Sequence, residues 1–240
     1  MKRMVNITAM SHERIKLLCI PYAGSSACYY NKWTAYFSNN ITVHPVELAG
    51  RGIRSDEGFY KSFDDAIEDL LDKVLKIIGE SEYVLFGHSM GALIAYELFN
   101  RLIMSEVKKP KHLIVSGYAA PQLPQTDLNK DFEEIAAELG GIPDEVWNDQ
   151  YLYNIFMPIL KSDFQILKEY NYPKNRKPIS TDITVLYGED DTKTPFRKVV
   201  KWRELTSGTF NCYSFKGGHF FINQHMEEVI NCIKNIINNK

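Results

Sequence analysis

Ser89 lies in Gly87-His88-Ser89-Met90-Gly91, between the apolar run Tyr83-Val84-Leu85-Phe86 and a stretch of strong helix formers. A serine held between a buried strand and a helix, with glycine two residues away on either side, can sit at a sharp turn that presents its hydroxyl as a nucleophile. The glycines supply room. Serine backbone at such a turn is strained, and a Cβ at 87 or 91 would collide with neighbouring backbone. Small Ala92 and Ala95 let the helix lie close to the sheet. Its N-terminus offers free N–H groups to a developing oxyanion. The motif alone occurs by chance in many chains, and the strand and helix around it favour the nucleophile. His88 is read as structural, because adjacent side chains at such a turn diverge.

A serine nucleophile needs a base, and the base an orienting carboxylate. In strand–turn–helix sites of this kind the chain order is serine, then acid after a late strand, then histidine near the C-terminus. The histidines are His12, His44, His88, His112, His219 and His225, and only His219 sits in a glycine-relieved loop (Gly217-Gly218-His219-Phe220) beyond a late strand. His225 is the fallback and starts a helix. The acid lies in Gly188-Glu189-Asp190-Asp191. Position past the strand end favours Asp191 over Asp190, without excluding the neighbour; the other would be a solvated charge or a helix cap. Two N–H donors for the oxyanion are expected, from Met90 and from the early loop Pro21-Tyr22-Ala23-Gly24. Ala23 is assigned, with Tyr22 as the adjacent candidate, although PYAGSS could be a plain turn.

These residues need a scaffold. Strands are expected at Ile15–Ile20, Ile41–Leu48, Tyr83–Phe86, Lys111–Ser116, Ile183–Tyr187 and Phe210–Phe215, with Pro45 placing the second at an edge or a bend. Ser62-Phe63-Asp64-Asp65 starts a helix whose apolar stripe is Ala66, Ile67, Leu70, Leu71, Val74, Leu75 and Ile78. The loop Ala49 to Ser55 reads as flexible and basic. Strand and helix alternate, which predicts an α/β architecture with a mostly parallel sheet covered on both faces. The stretch Gly117 to Asp182 is too long for a bare loop and is read as a helical insertion over one end of the sheet.

Composition is that of an ordinary globular chain, with 45% hydrophobic and 24% charged residues. A net charge of −2 without a basic run argues against nucleic acid. MKRMVNITAMSHER carries no apolar segment of a secretory signal, and no stretch is long enough to span a membrane. Cys19, Cys28, Cys212 and Cys232 lack metal or redox spacing and read as reduced, mostly buried thiols of a cytoplasmic protein.

Across most of its length the chain resembles the type II thioesterases that accompany nonribosomal peptide and polyketide synthases. The resemblance rests on PYAGSS at 21–26, ELAGRG at 47–52, YVLFGHSMGA at 83–92, LGGIPDEV at 139–146, MPILKSDFQILKEY at 157–170, GEDD at 188–191 and GGHFF at 217–221. It implies an α/β-hydrolase fold in one domain, 1–240, with a mobile helical lid at about 121–176. It also implies Ser89, Asp191 and His219 as the triad, no cofactor of the enzyme's own, and a substrate carried on the phosphopantetheine arm of an acyl or peptidyl carrier protein. Two positions depart from the pattern. Ala49 replaces a proline, and Lys161 an arginine. For Arg51 and Lys161, solvated surface charge is favoured over a phosphate contact. Of Phe132, Trp147, Tyr151, Tyr153, Phe156, Phe164, Tyr170 and Tyr172, some must pack the insertion onto the body, and collectively they are expected also to wall a channel to Ser89. Pro143, Pro158 and Pro173 would divide the lid, with Gly140-Gly141 as its bend. A general carboxylesterase or lipase, and a silent carrier-binding module, are the competing functions.

Overall fold

The computed structural model describes residues 14–37, 40–124 and 131–239. His12, most of the N-terminal stretch read above and 125–130 of the insertion lie outside the described residues.

Six strands, β1 (Ile15–Ile20), β2 (Ile41–Pro45), β3 (Tyr83–His88), β4 (His112–Ser116), β5 (Asp182–Gly188) and β6 (Phe210–Phe215), form one sheet in the order β2-β1-β3-β4-β5-β6. Every neighbouring pair is parallel. The helices are α1 (Cys28–Asn31), α2 (Phe63–Ile78), α3 (Met90–Leu102), α4 (Phe132–Leu139), α5 (Asp144–Asn148), α6 (Gln150–Glu169), α7 (Phe196–Val199), α8 (Phe221–Gln224) and α9 (Met226–Asn238).

Side chains alternate along each strand, so one set feeds each face. Leu18, Leu85, Leu113 and Val185 pack beneath α2 and α3. Leu17, Val84, Phe86 and Ile114 meet Trp33 and α9 on the other. All of β3 is therefore buried, as its unbroken apolar run requires. β2 takes an edge, where the missing donor of Pro45 is tolerated, and stops at Pro45, three residues short of the expected end. The Ser62 hydroxyl accepts the Asp65 N–H at 3.0 Å and caps α2. Of the predicted stripe, Ala66, Ile67, Leu70, Val74 and Ile78 are buried, joined by Phe63, while Leu71 and Leu75 are half-buried against the same core.

Between β4 and β5, helices α4 to α6 enclose a small core of Ile135, Ile142, Val146, Met157, Leu160 and Phe164. Pro143 begins α5 and Pro173 lies beyond α6, but Pro158 is inside α6 and does not end it. The expected division at 158 is absent: one missing backbone donor is outweighed where Met157, Leu160 and Phe164 are packed. Only Cys19 among the cysteines is buried; Cys28 is exposed, and Cys212 and Cys232 are half-buried. In the loop after β2, read as flexible and basic, the two arginines are buried. Arg54 is buried, donating to Asp69, Glu57 and the Glu47 carbonyl.

Candidate active site

β3 and α3 force the backbone at Ser89 to φ 53° and ψ −123°, and it is the single non-glycine residue with positive φ among those described. Such a conformation costs on the order of 1–3 kcal/mol and persists because its surroundings enforce it. A Cβ at Gly87 would lie 2.0 Å from the Gly91 carbonyl oxygen, and one at Gly91 would lie 2.2 Å from that of Ile20. Both glycines are there because no side chain fits. The Ser89 N–H donates to the Ser116 carbonyl at 2.8 Å, tying the turn to the end of β4.

His219 arrives from the loop after β6, and Asp191 from the loop after β5. Ser89 Oγ is 2.9 Å from His219 Nε2, and His219 Nδ1 is 2.7 Å from Asp191 Oδ2. Asp191 is fixed in turn. Its Oδ1 accepts the N–H of Lys193 at 2.9 Å and of Thr194 at 3.1 Å, and its Oδ2 accepts the Thr194 hydroxyl at 2.5 Å. Burial pushes its carboxyl upward, but the bonds from His219 and Thr194 outweigh burial and hold it down at about 2. The group is therefore an anion at neutral pH. Glu189 and Asp190 face solvent.

His88 is fully buried, its Nδ1 2.9 Å from the Ser116 hydroxyl. Its ring centroid is 5.2 Å from that of His219. Burial, and then the neighbouring His219, push His88 well below the usual imidazole range, so it is a neutral wall behind His219. Sequence reading assigned it no contact with the base. The signal was Gly117, where a Cβ would lie 2.5 Å from His88 Cε1. His225 pairs with Glu228 at 3.0 Å, away from Ser89.

The amides of Ala23 and Met90 have no protein acceptor among the described residues. Ala23 and Ser89 line a cavity of about 120 Å³ covered by α4 and α6. Its walls correct the aromatic expectation. Of the eight insertion aromatics only Phe164 lines it, together with Ile135, Leu139, Ile142, Leu160 and Leu167. Tyr151 is 73% exposed, because the face of α6 turned inward carries Leu160, Phe164 and Leu167 instead, and Trp147, on α5, is 41% exposed. The remaining aromatic walls, Tyr22, Tyr118 and Phe220, come from the body of the protein.

Arg51 also departs from expectation. It is 3% exposed and grips Asp163 of α6 with two hydrogen bonds of 2.6 Å. A planar guanidinium matches a carboxylate in this way, and the pairing withdraws both charges from solvent. Lys161 is exposed. No group of three or more His, Cys, Asp or Glu side chains among the described residues could hold a metal ion.

Comparison with known proteins places this geometry. The thioesterase domain family matches residues 15–237. The chain is 32% identical to the gramicidin S biosynthesis protein GrsT of Aneurinibacillus migulanus, over 95% of this chain and 91% of that one. It is 35% identical to the medium-chain S-acyl fatty acid synthase thioesterase of Rattus norvegicus, over 92% of this chain and 86% of that one. The crystal structure of ClbQ, from the colibactin NRPS/PKS pathway, superposes with a TM-score of 0.89 at 30% identity, covering 94% of this chain and 98% of that one.

Proposed function

The chain belongs to the thioesterase domain family, and from that premise we propose that it hydrolyses acyl thioesters held on the phosphopantetheine arms of carrier proteins in nonribosomal peptide or polyketide synthesis. In this role it clears stalled or misprimed acyl groups, in the cytoplasm and with no cofactor of its own. The observation that carries the reading is the Ser89 hydroxyl within hydrogen-bonding distance of His219, facing a covered cavity.

Ser89 gives its proton to His219 Nε2 as Oγ attacks the thioester carbonyl carbon. The oxygen of the tetrahedral intermediate becomes an anion, and the N–H groups of Ala23 and Met90 receive it. Collapse breaks the carbon–sulfur bond, and the imidazolium returns the proton to the departing thiolate. Water then repeats the sequence on the acyl-serine: His219 takes its proton, hydroxide adds, and Ser89 leaves with that proton as the free acid departs. Asp191 keeps Nδ1 protonated throughout, so that Nε2 is the accepting nitrogen. A narrow covered cavity suits a substrate delivered end-on by a thin arm. Residues 121–176 are read as the lid of a single domain, opening for that arm.

Incubating the protein with a carrier protein bearing a short acyl group, and following its mass, tests the proposal. Return of the carrier to its free-thiol form is expected. An unchanged carrier, with Ser89 still labelled by a fluorophosphonate, would favour a general esterase. Absence of both reactions would leave a silent binding module.

A further inference from the structure

Three buried ions converge on the loop between β1 and α1. Glu47 accepts the Ala27 N–H at 2.9 Å and the Ser26 hydroxyl at 2.8 Å. Arg51 donates to the Ser25 carbonyl at 3.2 Å. Asp163, reaching down from α6, accepts the Gly24 N–H through Oδ2 at 2.8 Å. Gly24 follows Ala23 directly, so Ala23 is fixed on one side by the end of β1 and on the other by this bond. A bond from the Ser25 N–H to the Tyr22 carbonyl at 3.0 Å closes the turn, with Gly24 at φ 77°.

A turn of this type needs no buried ions to close. Replacing a buried ion pair with apolar residues is often neutral for stability, so the pair here is better explained by position than by strength. Arg51 also balances the charge of Asp163, while Glu47 is held by the Ala27 N–H and the Ser26 hydroxyl. A lone carboxylate one residue from an oxyanion donor would oppose the negative charge that develops there, and the two bonds from Arg51 neutralise it.

We propose that Asp163, balanced by Arg51, is a positioning residue: it holds Gly24 so that the Ala23 N–H stays directed at the acyl oxygen on Ser89. The inference rests on the reading of Ser89 as the nucleophile. Because Asp163 belongs to the helix covering the cavity, the donor is set when α6 is seated on the loop.

The test compares two double variants, Arg51→Met/Asp163→Leu and Arg51→Met/Asp163→Asn, in the full chain. Both lack the ion pair, and only the second keeps an acceptor for Gly24. With p-nitrophenyl butyrate, the Leu variant should lose about 10- to 100-fold in kcat with KM within about threefold, since deleting a whole oxyanion donor costs about 10²–10³. The Asn variant should recover at least about fivefold of that loss, as one restored acceptor is worth roughly 1 kcal/mol. Equal kcat in the two folded variants, or a loss confined to KM, overturns the proposal. Should the Leu variant fail to fold, Asp163→Ser, too short to reach Gly24, replaces it against Asp163→Asn, with the same ranking required. Wild-type turnover of this ester without turnover of carrier thioesters would overturn the substrate reading and leave the comparison intact. Wild type without Ser89-dependent ester turnover would overturn both.

Discussion

Asp191→Asn tests how the carboxylate governs His219. Oδ1 of Asp191 receives two backbone N–H groups, from Lys193 and Thr194, while Oδ2 faces His219 Nδ1 at 2.7 Å. An asparagine here must place its carbonyl oxygen at the Oδ1 position, because an NH₂ there would confront two donors. Its NH₂ then faces Nδ1, which can only accept. The ring proton moves to Nε2, 2.9 Å from Ser89 Oγ, and the base is blocked. Loss of this kind costs about 10⁴ in kcat at a Ser-His-Asp site, or roughly 5 kcal/mol. The reversed amide would keep the working tautomer but leave two buried donors unsatisfied, at about 1–3 kcal/mol each. It is therefore populated at a few per cent at most, which sets the smallest loss at about 30-fold. A fall in kcat of about 30-fold to 10⁴-fold is expected in steady-state thioester hydrolysis, with the circular dichroism spectrum unchanged. Asp190→Asn, at an exposed side chain, should stay within about threefold of wild type. A folded Asp191→Asn protein within about tenfold of wild type, or a larger loss from Asp190→Asn, would refute the reasoning.

Gly91→Ala puts a Cβ 2.2 Å from the Ile20 carbonyl oxygen, so backbone must move; destabilisation of about 2 kcal/mol or more is expected, seen as a fall in Tm of about 4 °C or more. An unchanged Tm would show that the turn is looser than described. Asp191 also has a lower pKa folded, at about 2, than the ~3.9 of an unfolded chain, so its contribution is complete above about pH 4 and lost as pH falls through about 2. Urea midpoints at pH 5 and pH 2 should show wild type losing roughly 2 kcal/mol more than Asp191→Asn, and equal losses would contradict this. Phe164→Ala opens the cavity wall and should raise the kcat/KM ratio of octanoyl to acetyl thioesters by about 10-fold or more. An unaltered ratio would mean that the acyl chain lies elsewhere.

What the sequence made legible was what local chemistry dictates. The run Tyr83 to Phe86 read as a buried strand and lies inside the sheet, and Pro45, read as marking an edge or a bend, lies in an edge strand. Chain order singled out Ser89 and His219 and put the acid in the stretch 188–191, and the folded chain brings the side chains of Ser89, His219 and Asp191 within 2.9 Å of one another in series. The choice between Asp190 and Asp191 turns on loop geometry, and only Asp191 points inward. Arg51 and Asp163 were opaque because their pairing joins positions 112 residues apart with no periodicity to announce it. The insertion aromatics misled for a related reason. An amphipathic pattern separates buried from exposed, but not which buried face lies over a cavity formed with another part of the chain. Phe156 shows the difference: its ring packs against Gly24, while Phe164, two turns along the same helix, lines the cavity.

The central claim is that Ser89 hydrolyses acyl groups delivered by a carrier arm. The most direct measurement is kcat/KM for an acetyl group on a phosphopantetheinylated carrier protein and on free coenzyme A, at one ionic strength, for wild type and Ser89→Ala. Binding energy from the carrier, outside the reacting centre, can be used to open and order the lid. The account predicts a higher value on the carrier, and turnover by Ser89→Ala reduced by about 10³-fold or more on both donors. Equal efficiency on the two donors, or substantial turnover by a folded Ser89→Ala protein, would contradict it.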